Sequence, residues 1–145
     1  MKKNLLFLLS VMFIISCKTQ NNEYLEFETG NAMIIGGKTS IKLIPTNKKR
    51  AKNVTVKIFY QNENLDSRKI SENEYKQIVD LYKQISIKDT AKTEWIHPPY
   101  FKIEYRKNKF KKDFYYIGIP KKGEKFREIT ELIFKSANLN MNKLH

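Results

Sequence analysis

Val54-Thr55-Val56-Lys57-Ile58-Phe59-Tyr60, then Gln61-Asn62-Glu63-Asn64, then Leu65 to Ile70, then Ser71-Glu72-Asn73-Glu74-Tyr75: this stretch decides the fold class. Val54, Val56, Ile58 and Tyr60 fall on one side of an alternating run, and Thr55, Lys57 and Phe59 on the other, the period-2 signature of a strand. The polar tetrad Gln61–Asn64 reads as a turn, and Leu65 to Ile70 as the returning partner of a hairpin. At Ser71 the period changes. Ser71 and Glu74 have the spacing of a capping box, in which each side chain satisfies a free backbone N–H of the first helical turn. Tyr75, Ile78, Tyr82 and Ile85 then fall on one stripe, widened by Val79 and Leu81, which predicts a helix from Glu72 to Ser86.

The flanks repeat the scheme. Downstream, Asp89 to Pro99 reads as a loop. Phe101, Ile103 and Tyr105 alternate with Lys102, Glu104 and Arg106 as a half-buried strand, and Lys107-Asn108-Lys109 turns. Phe110 to Ile119 returns, and its apolar residues on both faces near Phe114 to Ile117 predict a central strand. Pro120 and Gly123 break it, and a second helix is expected from Glu124 to Ala137 with Phe126, Ile129, Ile133 and Ala137 inward. Upstream, Tyr24 to Glu28 and Thr39 to Ile44 read as strands. Between them Met33 to Ile35 ends at the turn signal Gly36-Gly37, and after them Pro45 and Lys48-Lys49-Arg50 form a solvated loop. The expected fold is α+β: a small antiparallel sheet of about five to six strands with two α-helices packed on one face. Residues 24–137 form the single domain and 138–145 a polar, flexible tail.

Ahead of the domain, Lys2 and Lys3 precede Leu5 to Ile15, an apolar run broken only by Ser10, and then come Ser16 and Cys17. A charged start, a short apolar stretch and a small residue read as an export signal. Eleven residues rise about 16 Å as a helix, roughly half the hydrocarbon thickness, which is too short for a membrane span. Ile14-Ile15-Ser16-Cys17 resembles the lipobox of bacterial lipoproteins, with Ile14 where the common pattern has Leu. The resemblance covers the first 20 or so residues. It implies that residues 1–16 are a signal peptide cut before Cys17, that the Cys17 sulfur receives a diacylglycerol, and that its new amino group is acylated. Lys18, where an inner-membrane retention signal has Asp, implies delivery to the outer membrane. Residues 17–23 would then be a tether, polar and without period from Lys18 to Glu23, reaching about 20 Å when extended.

The chain carries 28 Lys+Arg against 15 Asp+Glu, a formal net charge of +13. Removal of Lys2 and Lys3 with the signal leaves 26 against 15, or +11. Lys outnumbers Arg 24 to 4, the bias of AT-rich codons rather than of phosphate recognition, which favours the planar guanidinium. The basic charge concentrates in Lys102 to Arg127, where ten basic residues meet three acids among Phe110, Phe114, Tyr115 and Tyr116. Lys107, Lys109, Lys111, Lys112, Lys121 and Lys122 are the candidate binding face, facing anionic lipid headgroups or an acidic envelope partner; strand alternation with Lys in water explains the same pattern. Such a stretch also suits single-stranded nucleic acid, a partner that export removes. One Cys precludes an internal disulfide, and two His leave little for a metal cluster or triad. His97 near Glu94 reads either as a general base or as a solvated residue in a loop pinned by Trp95 and Pro98-Pro99. Glu124, Glu128 and Glu131 are spaced to pair locally with Lys121, Lys125, Arg127 and Lys135. No phosphate-loop, zincin, nucleophile-elbow or EF-hand pattern occurs. Catalytic residues, metal and cofactor are therefore not expected. The expectation is a lipid-anchored envelope protein acting as a non-enzymatic binding or structural module; an envelope enzyme, or an inhibitor or immunity-type protein, is the alternative.

Overall fold

A computed structural model describes residues 22–31, 37–46, 53–87 and 98–140. The elements run β1 (Tyr24–Asn31), β2 (Lys38–Pro45), β3 (Asn53–Tyr60), β4 (Glu63–Ser71), α1 (Glu72–Gln84), β5 (Pro99–Lys107), β6 (Phe110–Ile117) and α2 (Lys125–Ser136). They build one six-stranded sheet in the order β4-β3-β2-β1-β5-β6, antiparallel throughout. Both helices cover the same face, as expected for this α+β arrangement.

The β3–β4 hairpin is tighter than its sequence suggests. Only Gln61 and Asn62 turn, with φ of 51° and 70°. Two consecutive residues in the left-handed region make the turn whose twist matches that of the strands, and Asn tolerates that region best after Gly. Glu63 and Asn64 therefore belong to β4. Phe59 pairs with Asn64 but Ile58 with Asp66, so Leu65 is the extra residue of a bulge and is 64% exposed. The capping box forms as expected: the Glu74 N–H donates to Ser71 Oγ at 3.2 Å, and the Ser71 N–H donates to Glu74 Oε2 at 2.9 Å. The Ser71 N–H and the Ser71 hydroxyl, which donates to the same oxygen at 2.8 Å, hold the Glu74 carboxyl below its ordinary value.

Alternation delivers the core. Leu25 and Phe27 of β1, Ile41 and Leu43 of β2, Val54 and Val56 of β3, and Ile103 of β5 are buried on the helix side. Phe27 meets Phe134 of α2 edge-on at 5.3 Å, and Tyr116 of β6 meets Phe126 at 5.1 Å. From its start beside β4, α1 crosses the strands: Tyr75 reaches Glu23, just ahead of β1, while the Tyr82 hydroxyl donates to the Lys112 carbonyl of β6 at 2.6 Å. The end of α2 is closed by Asn138 at φ 57°, with the Leu139 N–H bonded to the Phe134 carbonyl at 2.9 Å and the Asn138 N–H to that of Lys135 at 3.0 Å. This is the C-terminal motif in which a left-handed residue lets two backbone N–H groups fold back on the last turn.

One expectation is corrected. β6 is an edge strand, not a central one. Its apolar residues on both sides have different fates: Phe114 and Tyr116 are buried under the helices, whereas Tyr115 and Ile117 are 50% and 38% exposed on the other face. Met33–Ile35, Lys48–Arg50 and the loop part 89–97, with Trp95 and His97, lie outside the described residues. Pro99 opens β5, the strand position at which proline is tolerated, and its carbonyl accepts from the Gly118 N–H at 2.8 Å.

Truncating Phe27, fully buried against Phe134 and Phe101, should cost about 3–5 kcal/mol as Phe27→Ala. Ser71→Ala, which removes the Oγ acceptor of the capping box and leaves the backbone N–H bond to Glu74, should cost about 1 kcal/mol. Urea unfolding followed by circular dichroism checks both, with the ordering of the two as the stricter test.

Candidate binding face

The sheet face opposite the helices is built from the alternate residues of all six strands. Strand pairing lines them up in rows. One row reads Ser67, Lys57, Lys42, Glu26, Glu104, Asp113 from β4 to β6. The next reads Asn64, Phe59, Ser40, Glu28, Lys102, Tyr115. Three acids thus stand side by side on β1, β5 and β6. Like charges directly opposite each other are destabilising unless cations intervene, and here they do. Lys42 reaches Glu26 at 3.1 Å, Lys102 and Lys111 each reach Glu104 at 3.3 Å, and Lys102 reaches Asp113 at 3.8 Å. In the next row Lys38 reaches diagonally to Glu28 at 2.7 Å.

Glu104 is the hub and is buried although no helix covers it. The Tyr24 hydroxyl donates to its Oε1 at 2.8 Å, which leaves Oε2 to the two lysines. Burial alone would raise this carboxyl, but the Tyr24, Lys111 and Lys102 donors outweigh it and hold the group below its ordinary value. For Lys102 burial alone would lower the ammonium; the Tyr115 hydroxyl and Glu104 outweigh that and push it up to about 12. Its Nζ also stands 5.4 Å from the centre of the Tyr115 ring, while Lys42 Nζ stands 4.0 Å from that of Tyr24. Tyr100 lies across Gly30, its strand partner. A Cβ at Gly30 would stand 3.0 Å from Tyr100 Cε1, so the absence of a side chain is what admits the ring. Burial, then its hydrogen bond to Glu28 at 2.9 Å, pushes the Tyr100 phenol up to about 12. Among the described residues no group of three acids, His or Cys is placed to hold a metal ion. The face offers fixed charges and three tyrosines on a sheet surface without a covering helix, which suit recognition by contact.

A second cluster joins the end of the tether to the domain. Glu23 accepts from the Tyr105 hydroxyl at 3.0 Å and the Tyr75 hydroxyl at 3.3 Å, and pairs with Lys107 at 2.9 Å. Burial, followed by the Glu23 carboxylate, raises both phenols. Beside it, Asn22, Glu23, Tyr24, Lys42, Ile44 and Arg106 line an open groove of about 320 Å³.

The six candidate lysines separate into two groups. Lys107, Lys109, Lys111 and Lys112 surround the β5–β6 turn, with Lys111 on the open face and Lys112 turned the other way, its Nζ 4.6 Å from the Phe114 ring centre. Lys121 and Lys122 follow the far end of β6, a strand that rises about 25 Å over its length. There the Lys121 N–H and the Tyr116 hydroxyl both donate to Glu124, at 2.8 and 2.7 Å. The expected local pairs on α2 form between Lys125 and Glu128 at 2.9 Å and between Arg127 and Glu131 at 2.6 Å. Cys17, Glu94 and His97 lie outside the described residues. Reading the sequence missed Glu104 and Glu23 as hubs. The alternation around Glu104 is visible, but the pairing of β1 with β5 that surrounds it spans some 80 residues and leaves no local signal. Compared with protein-family models, with curated proteins and with solved structures, the chain matches none.

Because the Glu104 carboxyl is lowered on folding, its contribution is present above the unfolded value near 4.5 and is lost as pH falls through the folded value. Glu104→Gln should therefore be less stable than the parent at neutral pH, with the difference closing below about pH 4. Urea midpoints across that range check it; a difference independent of pH would show that packing, not charge, is at work.

Proposed function

We propose that this chain is a lipid-anchored protein of the bacterial cell envelope, held to the outer membrane through an acylated Cys17, whose α+β domain is a non-enzymatic binding or structural module. The observation that carries this reading is the order of parts along the chain. A basic start, an eleven-residue apolar run and Ile14-Ile15-Ser16-Cys17 stand only a few residues ahead of Glu23, where the folded domain begins. Two or more acyl chains hold a protein firmly to a bilayer, so such an anchor needs no spanning helix. What supports a contact role is the open face. Its acids are held by lysines and tyrosines in fixed pairs, and its aromatic rings lie along the sheet face that no helix covers.

Metabolic labelling with fatty acid and membrane fractionation test the reading. The parent chain should take up label and sediment with membranes, and Cys17→Ser should lose the label and keep the uncut signal peptide. A parent chain that takes up no label would overturn the proposal.

A further inference from the structure

We infer that the β5–β6 hairpin tip is a second membrane contact, resting on anionic lipid headgroups beside the anchor; this builds on the acylation of Cys17 proposed above. The inference comes from where the chain enters the domain. β1 and β5 are antiparallel, with Tyr24 opposite Arg106, so the start of β1 and the end of β5 share one end of the sheet. Lys107, the last residue of β5, pairs with Glu23 at 2.9 Å. The turn at Asn108 and Lys109 thus stands level with Asn22, where the described chain begins. Only five Cα steps separate Asn22 from Cys17, about 18 Å at full extension. An anchor in the bilayer therefore keeps this end of the sheet within reach of the headgroups, a constraint that the opposite end lacks.

The chemistry of the tip fits that neighbour. Residues 106–113 carry Arg106, Lys107, Lys109, Lys111 and Lys112 against Asp113, five charges against one. Arg106, Lys109 and Lys112 form no ion pair among the described residues. Phe110 stands among them 54% exposed at the start of an edge strand. Lysines around an exposed ring match the boundary between headgroup charge and acyl chain. Lys121 and Lys122 also carry positive charge, at the far end of β6 where the anchor does not hold them to the surface, and serve as the internal comparison.

The test uses the lipidated mature product, beginning at Cys17, purified from membranes and weighed by mass spectrometry to verify the acyl groups. Acylation blocks Cys17, so Lys109→Cys or Lys122→Cys supplies the sole free thiol for an environment-sensitive fluorophore. Each protein is reconstituted into phosphatidylcholine vesicles with or without phosphatidylglycerol. The expected result is a blue shift, with quenching by headgroup-labelled lipid, at position 109 on phosphatidylglycerol vesicles. The response should be much weaker on neutral vesicles, and the label at 122 should report water on both. Salt at about 1 M, where the screening length is about 3 Å, should remove the shift. A label at 109 that matches the one at 122, or that responds equally on neutral vesicles, overturns the inference. So does a tip that ignores both vesicles but responds to polyglutamate, which would assign it to an acidic macromolecule. Absence of acyl mass on Cys17 is a separate failure and overturns the anchor itself.

Discussion

The fold depends on β1 being paired on both sides. β2, β3, β4 and α1 follow one another as neighbours, and β5 and β6 form a hairpin of their own. Within the sheet β1 alone joins the two groups, and across its helix side α1 reaches β5 and β6 through Tyr82. Leu25 pairs with Leu43 on one side and Tyr105 on the other; Phe27 pairs with Ile41 and Ile103. Both side chains are fully buried, and Phe27 carries the contact to Phe134 that seats α2. Without β1 the β5–β6 hairpin would be a two-stranded piece, a form that is at best marginal in water. The ladder between β1 and β5 joins residues some 80 positions apart, so its formation carries the entropy cost of closing a long loop.

This arrangement also explains the charged face. Putting β1 between β2 and β5 brings Glu26 beside Glu104, and β6 adds Asp113 to the row. Such a row stands only because Lys42, Lys102, Lys111 and the Tyr24 hydroxyl converge on it. The lysines that a compositional reading assigns to codon bias are here divided in function. Some balance acids within the sheet, and others remain at the hairpin tip without such partners among the described residues. Exposed ion pairs contribute little individually. The part-buried set around Glu104 differs because its acceptor is already desolvated, so each donor lost would leave a buried carboxylate short of a partner.

What could be read in the sequence was local. The strand from Val54, the capping box at Ser71 and the stripe from Tyr75 to Ile85 each rest on periodicities of a few residues, and each forms. The turn at Gln61–Asn62 was legible in place but not in length, because the choice between two and four residues depends on strand twist. The rank of β6 in the sheet was not legible. Phe114 to Ile117 is apolar on both sides, a pattern shared by a central strand and by an edge strand with exposed rings; the deciding fact is that β1 pairs with β5, which leaves β6 at the edge. The candidate lysines show the same limit. Nearness in sequence grouped Lys121 with Lys111, whereas an extended strand carries them to opposite ends of the sheet. Glu23, read as the end of a tether, is instead held by Tyr75, Tyr105 and Lys107, because the residue preceding a central strand is brought to neighbours that only the assembled sheet supplies.

With Cys17 acylated, the mechanical consequence follows from the same strand. A load between bilayer and domain enters at Glu23 and runs along the axis of β1. Ladder hydrogen bonds in an antiparallel pair lie perpendicular to the strands, so the load meets the bonds to β2 and β5 in shear, many at once, rather than opening them singly from an edge. Had the tether led into β4 or β6, the same pull would act on a strand with one neighbour. The Glu23 cluster strengthens the entry point, since moving Glu23 requires breaking two tyrosine hydrogen bonds and an ion pair before the first ladder bond is strained. A central first strand is costly in loop closure. Were the domain held through Cys17 as proposed, it would also be the strand best placed to bear the load.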